Sequence, residues 1–326
     1  MTRRDTRQRI VRLVLRFLGP VLLVVVLLSH TREWGAVGGT LVTASLTPLL
    51  VALALNAVVT SLKVARWQVL LRRREIHYAW GRALGAVLAS GFVALMTPGR
   101  VGDALRAHYL RHEVGTPYAA GFASVVMDRF CDLYVLLGFV ALGVVRFGPA
   151  LVGRLALVAW GAVALTLLGP LLLFIPGIAE RLASIVYRRL LKNVDPEGFA
   201  TFLDALRSYV GRSLGVTIPL TVAAFATNFA QGWLMARAIH VDLSIQDVAY
   251  LMAIASLLAL LPISPSGVGV RELFFSAAFP LVGHSPAEGV SFGLLVSFVL
   301  YLSMLLPGFV AWQLDPPHVP AREPIS

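Results

Sequence analysis

Three charged residues stand inside a run that is otherwise apolar. Asp128, Arg129 and Asp132 fall in SVVMDRFCDLYVLLG, roughly ten residues into a predicted spanning helix. At about 1.5 Å per residue that is ~15 Å deep, close to the bilayer midplane. Asp128 and Asp132 are four apart and share a helix face, and Arg129, three before Asp132, can pair with it. An intramembrane charge is costly unless paired or hydrated, so such groups line a cavity, lock helices together, or do both. Facing a cavity, Asp128 or Asp132 could hold a cationic part of a ligand or carry a proton.

Two Pro/Gly breaks add the other candidates. In TPGRVGDALRAHYLR (97–111), Pro98, Gly99 and Gly102 allow a sharp turn, and Asp103 can cap a short helix from about Ala104. Arg100 and Arg106 then lie near the tip of a hairpin, and an arginine fork matches phosphate oxygens. The plainer reading is a cytoplasmic loop whose arginines only set topology. In PISPSGVGVRE (262–272), Pro262, Pro265, Gly267 and Gly269 precede Arg271 and Glu272, which open a half-helix. Backbone N–H groups at that start would attract an anion, Arg271 would add charge, and Glu272 and Asp103 would serve as counter-charges. The plainer reading is a turn between packed helices. Gly267-Val268-Gly269 is no nucleotide loop, because GxxxxGK[ST] and a preceding strand are missing.

The remaining signals are weaker or negative. Asn56 and Asn228 sit near mid-depth, where side-chain amides more often join helices than bind substrate. The six tryptophans read as an interfacial belt. The seven histidines show no metal-binding spacing, and the single cysteine, Cys131, excludes an intrachain disulfide or a cysteine cluster. No metal and no cofactor are expected. Without a nucleotide motif or a nucleophile–base pair, the sequence reads as a non-enzyme.

The elements that position these residues are membrane helices. Hydrophobic residues form 58% of the 326-residue chain, charged residues only 14%, and mean hydropathy is +0.79. Soluble domains are nearer 45–50% and about 25%. The net charge of +11 comes from arginines between apolar runs, which orient helices and meet anionic lipid rather than nucleic acid. Spans are predicted at about 12–30, 40–63, 119–145, 151–175, 214–236 and 288–313. The run between Arg82 and Arg100, and the pieces at 249–261 and 272–282, are short for the ~20 residues of a span and read as two re-entrant hairpins. Residues 177–213 read as a cytoplasmic segment with an amphipathic interfacial helix in FATFLDALRSYV, and 314–326 as a disordered cytoplasmic tail. Basic clusters place both termini and residues 64–80 in the cytoplasm, with 31–39 and 238–248 outside.

A repeat ties the halves together. TPLLVALALNAVVTSLKVAR (47–66) and IPLTVAAFATNFAQGWLMAR (218–237) share six identities without gaps, including Arg66/Arg237, and each is followed by a broken apolar segment. The copies run in opposite directions across the membrane, so the halves, about 40–175 and 214–313, are predicted to be inverted, as in many secondary transporters.

Four motifs in order (Arg66 closing a helix, TPGRVGDALRAHYL, MDRFCDLYVLLG and LPISPSGVGVRE) resemble the lysylphosphatidylglycerol synthase transmembrane region, a flippase-like family, over about residues 10–313. The resemblance carries over to Arg66, Pro98, Arg100, Gly102, Asp103, Arg106, Asp128, Arg129, Pro262, Gly267, Gly269, Arg271 and Glu272. Family members usually have Glu where this chain has Asp103. The resemblance implies lipid translocation. Bifunctional relatives carry a separate soluble synthase domain, so the synthase activity is not expected to carry over to these residues, and stand-alone relatives are linked with glycolipid or polyprenyl-linked substrates.

The expectation is an all-α polytopic plasma-membrane protein, with about six spans and two re-entrant hairpins forming one domain over 1–313. It would move a lipid with an anionic phosphate headgroup between leaflets. A lipid-synthesising enzyme and a second copy of the chain are candidate partners. Two other readings stay open: a transporter of a small anionic solute, and an accessory protein to a lipid glycosyltransferase.

Overall fold

Hydrocarbon offers no water to backbone N–H and C=O groups, so an apolar chain crosses it as helix or as closed barrel. The computed structural model describes residues 34–97, 102–147, 196–209, 213–260 and 267–316, with residues 164 and 211, and these are all-helical. The helices are α1 (Trp34–Val42), α2 (Leu46–Arg73), α3 (Trp80–Met96), α4 (Leu105–Val114), α5 (Tyr118–Phe147), α6 (Pro196–Ser208), α7 (Leu214–Ala238), α8 (Ile245–Leu258), α9 (Val270–Ala278), α10 (Pro286–Leu300) and α11 (Leu305–Leu314). Among the described residues, Leu46–Arg73, Tyr118–Phe147, Leu214–Ala238 and Pro286–Leu314 are long and apolar enough to cross a membrane. The chain is an all-α multi-pass membrane protein. The expected spans at 12–30 and 151–175, the stretch 177–195 and the tail from 317 lie outside the described residues.

Two short helix pairs occupy the predicted hairpin positions. Helices α3 and α8 have 17 and 14 residues, below the ~20 of a span, and each leads into a helix of 10 or 9 residues, α4 or α9. Gly115, at φ 70, ends α4 in the left-handed conformation that glycine adopts without strain. Ser244 and Ser285 cap α8 and α10 by accepting from the N–H groups of Asp247 and Glu288.

Three boundaries differ from the sequence reading. The run at 40–63 is not one span, because the chain breaks at 43–45 between α1 and α2, and residues 34–39 are helical rather than loop. Helix α1 packs Val37 against Ala287 and Val290 of α10. Helix α2 continues beyond Lys63 to Arg73. The amphipathic helix α6 does not simply lie on the membrane: Ala205 and Leu206 bury against Leu70, Met127 and Cys131, while Asp204 meets Arg74 at 3.1 Å.

The packing scheme maps onto itself when the halves are exchanged. The repeated helices α2 and α7 form the most extensive helix pair among the described residues. Helix α3 packs on α11 and α8 on α5, while α4 packs on α5 and α9 on α10. A polar seam joins the central pair. Gln231 Nε2 donates to Ala52 O (2.7 Å) and Asn56 Oδ1 (3.0 Å), and Asn56 Nδ2 donates to Val299 O (2.7 Å). Replacing Asn56 by Leu removes its bonds to Gln231 and Val299, though Gln231 keeps Ala52 O and Val299 O keeps the Ser303 hydroxyl, and should cost about 1 kcal/mol. A thermal midpoint in detergent equal to the wild type would show that the seam is dispensable.

Candidate functional site

Helix α5 carries Asp128, Arg129 and Asp132, and its neighbours supply what these residues need. Arg66 of α2, 1% exposed, donates from Nε to Asp128 Oδ1 (2.7 Å) and from Nη1 to Asp132 Oδ1 (2.5 Å) and Thr221 Oγ1 (2.9 Å). The Thr221 hydroxyl donates to Thr217 O, so its lone pairs face the guanidinium. Arg106 of α4 donates to Asp128 Oδ2 at 3.0 Å and lies 3.9 Å from Asp103. Arg129 donates to Asp128 Oδ2 at 2.9 Å and stands 3.1 Å from Asp132 and 3.7 Å from Asp103. Three arginines thus face three aspartates, and the formal charges cancel. Asp128 is the hub, touched by all three guanidiniums. The Arg106 guanidinium also lies 5.3 Å from the ring centre of Trp67, whose indole N–H donates to Ser124 Oγ at 3.1 Å.

Beside this cluster opens a cavity of about 620 Å³ whose wall both halves share. Asp103, Arg106, Asp128, Arg129 and Asp132 reach it from the first half, Arg271 and Tyr301 from the second, and Val87, Leu88, Leu133, Phe225 and Leu300 give it apolar sides. Arg106 and Arg271 occupy equivalent places, each the second residue of its short helix. Their surroundings differ. Arg106 has carboxylates. Arg271, 2% exposed, lies flat on Tyr301 with 3.7 Å from its guanidinium carbon to the ring centre, and its Nε and Nη1 have no hydrogen-bond partner among the described residues.

Several expected roles change in this geometry. Asp103 does not cap α4, since Ala104 holds the cap position without a side-chain bond; Asp103 faces Arg106 and Arg129 instead. Glu272 is no counter-charge to Arg271. Its Oε2 accepts from the Gly269 N–H (2.6 Å) and its Oε1 from the Ser297 hydroxyl (2.5 Å). The carboxylate therefore occupies the start of α9, where an incoming anion was expected to sit. Neither Arg66 nor Glu272 lines the cavity; both are buried behind its wall. Trp67 is fully buried rather than part of an interfacial belt, and Arg237, the repeat counterpart of Arg66, is exposed and stacks on Trp233. Asn228 does line the cavity. Gly102 and Gly267 lie at close backbone approaches, and Gly269 starts α9 at φ 87. Pro98, Gly99, Arg100, Pro262 and Pro265 lie outside the described residues.

Sequence reasoning missed Thr221, Trp67 and Tyr301. Thr217 and Thr221, four apart on an apolar helix, were a readable signal for a buried polar stripe; Tyr301 carried none.

Known proteins share this sequence pattern. The family described as Lysylphosphatidylglycerol synthase TM region matches residues 10–308. The glycosyltransferase AglD of Haloferax volcanii is 28% identical over 273 residues, 70% of this chain and 43% of that protein. The chain thus spans under half of that relative's length. A UPF0104 membrane protein of Methanothermobacter thermautotrophicus is 24% identical over 293 residues, covering 79% of this chain and 80% of its own. Another from Methanocaldococcus jannaschii is 22% identical over 280 residues, with 81% and 83% covered.

Proposed function

Because the chain belongs to the Lysylphosphatidylglycerol synthase TM region family, we propose that it moves a phospholipid or glycolipid between membrane leaflets through the cavity that its halves share. The supporting observation is the wall of that cavity: apolar sides from both halves beside a charged floor. An amphiphile needs both, a polar place for its headgroup and an apolar path for its chains. In this reading the chain carries its lipid without modifying it, and a separate enzyme makes the lipid. The small-solute reading would instead need a sealed pocket.

Gly91 offers a direct test. It lines the cavity, and nothing lies within 4 Å of a Cβ added there. A side chain can therefore start from Gly91 without a backbone clash, and Gly91→Trp should put its ring into the passage and obstruct it. In proteoliposomes with a quenchable fluorescent phospholipid, wild type should speed leaflet exchange and Gly91→Trp should slow it about tenfold, roughly 1.4 kcal/mol on the barrier. Wild-type exchange no faster than in empty vesicles would refute the carrier reading, and unchanged exchange in Gly91→Trp would remove this cavity from the path.

The reading also places the protein in the plasma membrane with cytoplasmic termini and inverted halves. Single cysteines at His77 and Ser244, both on exposed turns, should then react with an impermeant thiol reagent from opposite faces, in a Cys131→Ser background. Reaction of both from one face would contradict the inverted arrangement.

A further inference from the structure

We propose that Arg271 is the phosphate-binding group of the cavity, and that its ligand is a phosphate ester whose remaining headgroup is uncharged, not one bearing a cationic amino acid. The inference rests on the lipid-carrier reading and narrows it to a substrate class.

The charges on the cavity wall decide the sign. Each wall carboxylate is already engaged: Asp128 by Arg66, Arg106 and Arg129, Asp132 by Arg66 and Arg129, Asp103 by Arg106 and Arg129. A cationic headgroup would have to displace one of these guanidiniums and strand it in the protein interior, where an unpaired charge is heavily penalised. Among the described residues, Arg271 has no such partner.

The geometry around Arg271 suits an oxyanion. Tyr301 covers one face of the guanidinium, while Nε and Nη1, on different edges of the plane, are buried and have no hydrogen-bond partner among the described residues. A planar guanidinium with unused N–H donors can fork onto two phosphate oxygens, which an ammonium cannot do. The nearest carboxylate in sequence, Glu272, is held away by the Gly269 N–H and the Ser297 hydroxyl. One guanidinium answers the single negative charge of a phosphodiester. Thr60, Asn228 and Ser256, uncharged polar residues on the same wall, are what the hydroxyls of a glycerol or sugar would meet.

The test is lipid binding to the full chain in detergent, read by native mass spectrometry, with phosphatidylglycerol, lysylphosphatidylglycerol and soluble glycerol 3-phosphate as probes. Phosphatidylglycerol should bind about tenfold more tightly than its lysyl ester, the scale of one charge-assisted hydrogen-bonded pair. Arg271→Gln should bring the two within about twofold, and Arg271→Lys should recover only part of the preference. Equal or tighter binding of the lysyl ester to wild type would overturn the inference, and that comparison needs no variant to fold. A preference that survives in a folded Arg271→Gln would also overturn it. Glycerol 3-phosphate displacing phosphatidylglycerol at equal concentration would make the ligand a water-soluble phosphate ester and overturn the lipid assignment. The expected binding pattern without leaflet exchange in vesicles would leave the Arg271 assignment standing and remove the carrier reading.

Discussion

Asp128→Asn should destabilise this protein more than any other single substitution at the site. Asp128 is 1% exposed, and its two oxygens take contacts from Arg66, Arg106 and Arg129. The amide keeps the shape but removes the negative charge, and two of these guanidiniums are almost fully buried. Removing one member of a buried ion cluster typically costs about 3–5 kcal/mol, because the partner charges stay behind uncompensated. The expected result is a large fall in thermal midpoint in detergent and loss of the monodisperse species. Arg129→Gln should be milder, since Arg129 is 33% exposed and can be replaced by water at the cavity. An Asp128→Asn protein that purifies as a single species with a wild-type midpoint would show that the cluster does not hold the helices together. Lost lipid exchange in such a protein would then assign Asp128 to transport itself.

Gly102→Ala should come close in effect for a steric reason. A Cβ built on Gly102 would lie 2.2 Å from Ala94 N and 2.4 Å from Val93 C, both backbone atoms of α3. No rotamer can relieve such an overlap, so α3 and the start of α4 must separate, and Asp103 and Arg106 move with them. Overpacking alone commonly costs about 1–3 kcal/mol, and the displaced ion pairs add to it. The companion position, Gly267, combines φ +73 with an added Cβ only 2.3 Å from Ala259 Cβ. Gly85→Ala serves as the control, because nothing lies within 4 Å of its added Cβ. A Gly102→Ala midpoint equal to that of Gly85→Ala would contradict the close approach.

The sequence made some of this legible and hid the rest for identifiable reasons. Asp128, Arg129 and Asp132 announced themselves, because charges in an apolar run have few innocent uses. Their spacing fixed the contact within α5, yet it could not say that Arg66 and Arg106 would arrive from two other helices. Pairing between distant elements depends on how helices pack, and a lipid-facing sequence encodes packing through small residues rather than through polarity. Asp103 illustrates a local preference overridden: an acid before a helix usually caps it, but two nearby guanidiniums attract it more strongly. Glu272 illustrates the reverse. Its place three residues after Gly269 was the spacing of a cap, and reading it as a counter-ion to its neighbour Arg271 passed over that local signal. The repeat was read from helices α2 and α7, while its best structural expression is the exchange of partners between α3–α11 and α5–α8. The chemistry is less symmetric than the chain path, because Arg66 and Arg237, aligned in sequence, end in opposite surroundings.

The order in which the charged cluster is assembled bears on how the protein enters the membrane. Synthesis runs from the N-terminus, so Arg66 and Arg106 leave the ribosome before Asp128 and Asp132. When α5 reaches the insertion machinery, its counter-ions already stand in the bilayer, and its three charges need not be exposed to lipid alone. The helix that waits is α2, with Arg66 only about two turns from its end at Arg73, where a long side chain can reach the headgroups. A permuted gene that delivers α5 ahead of α2 and α4 would encode the same contacts and still insert poorly, with α5 left out of the bilayer.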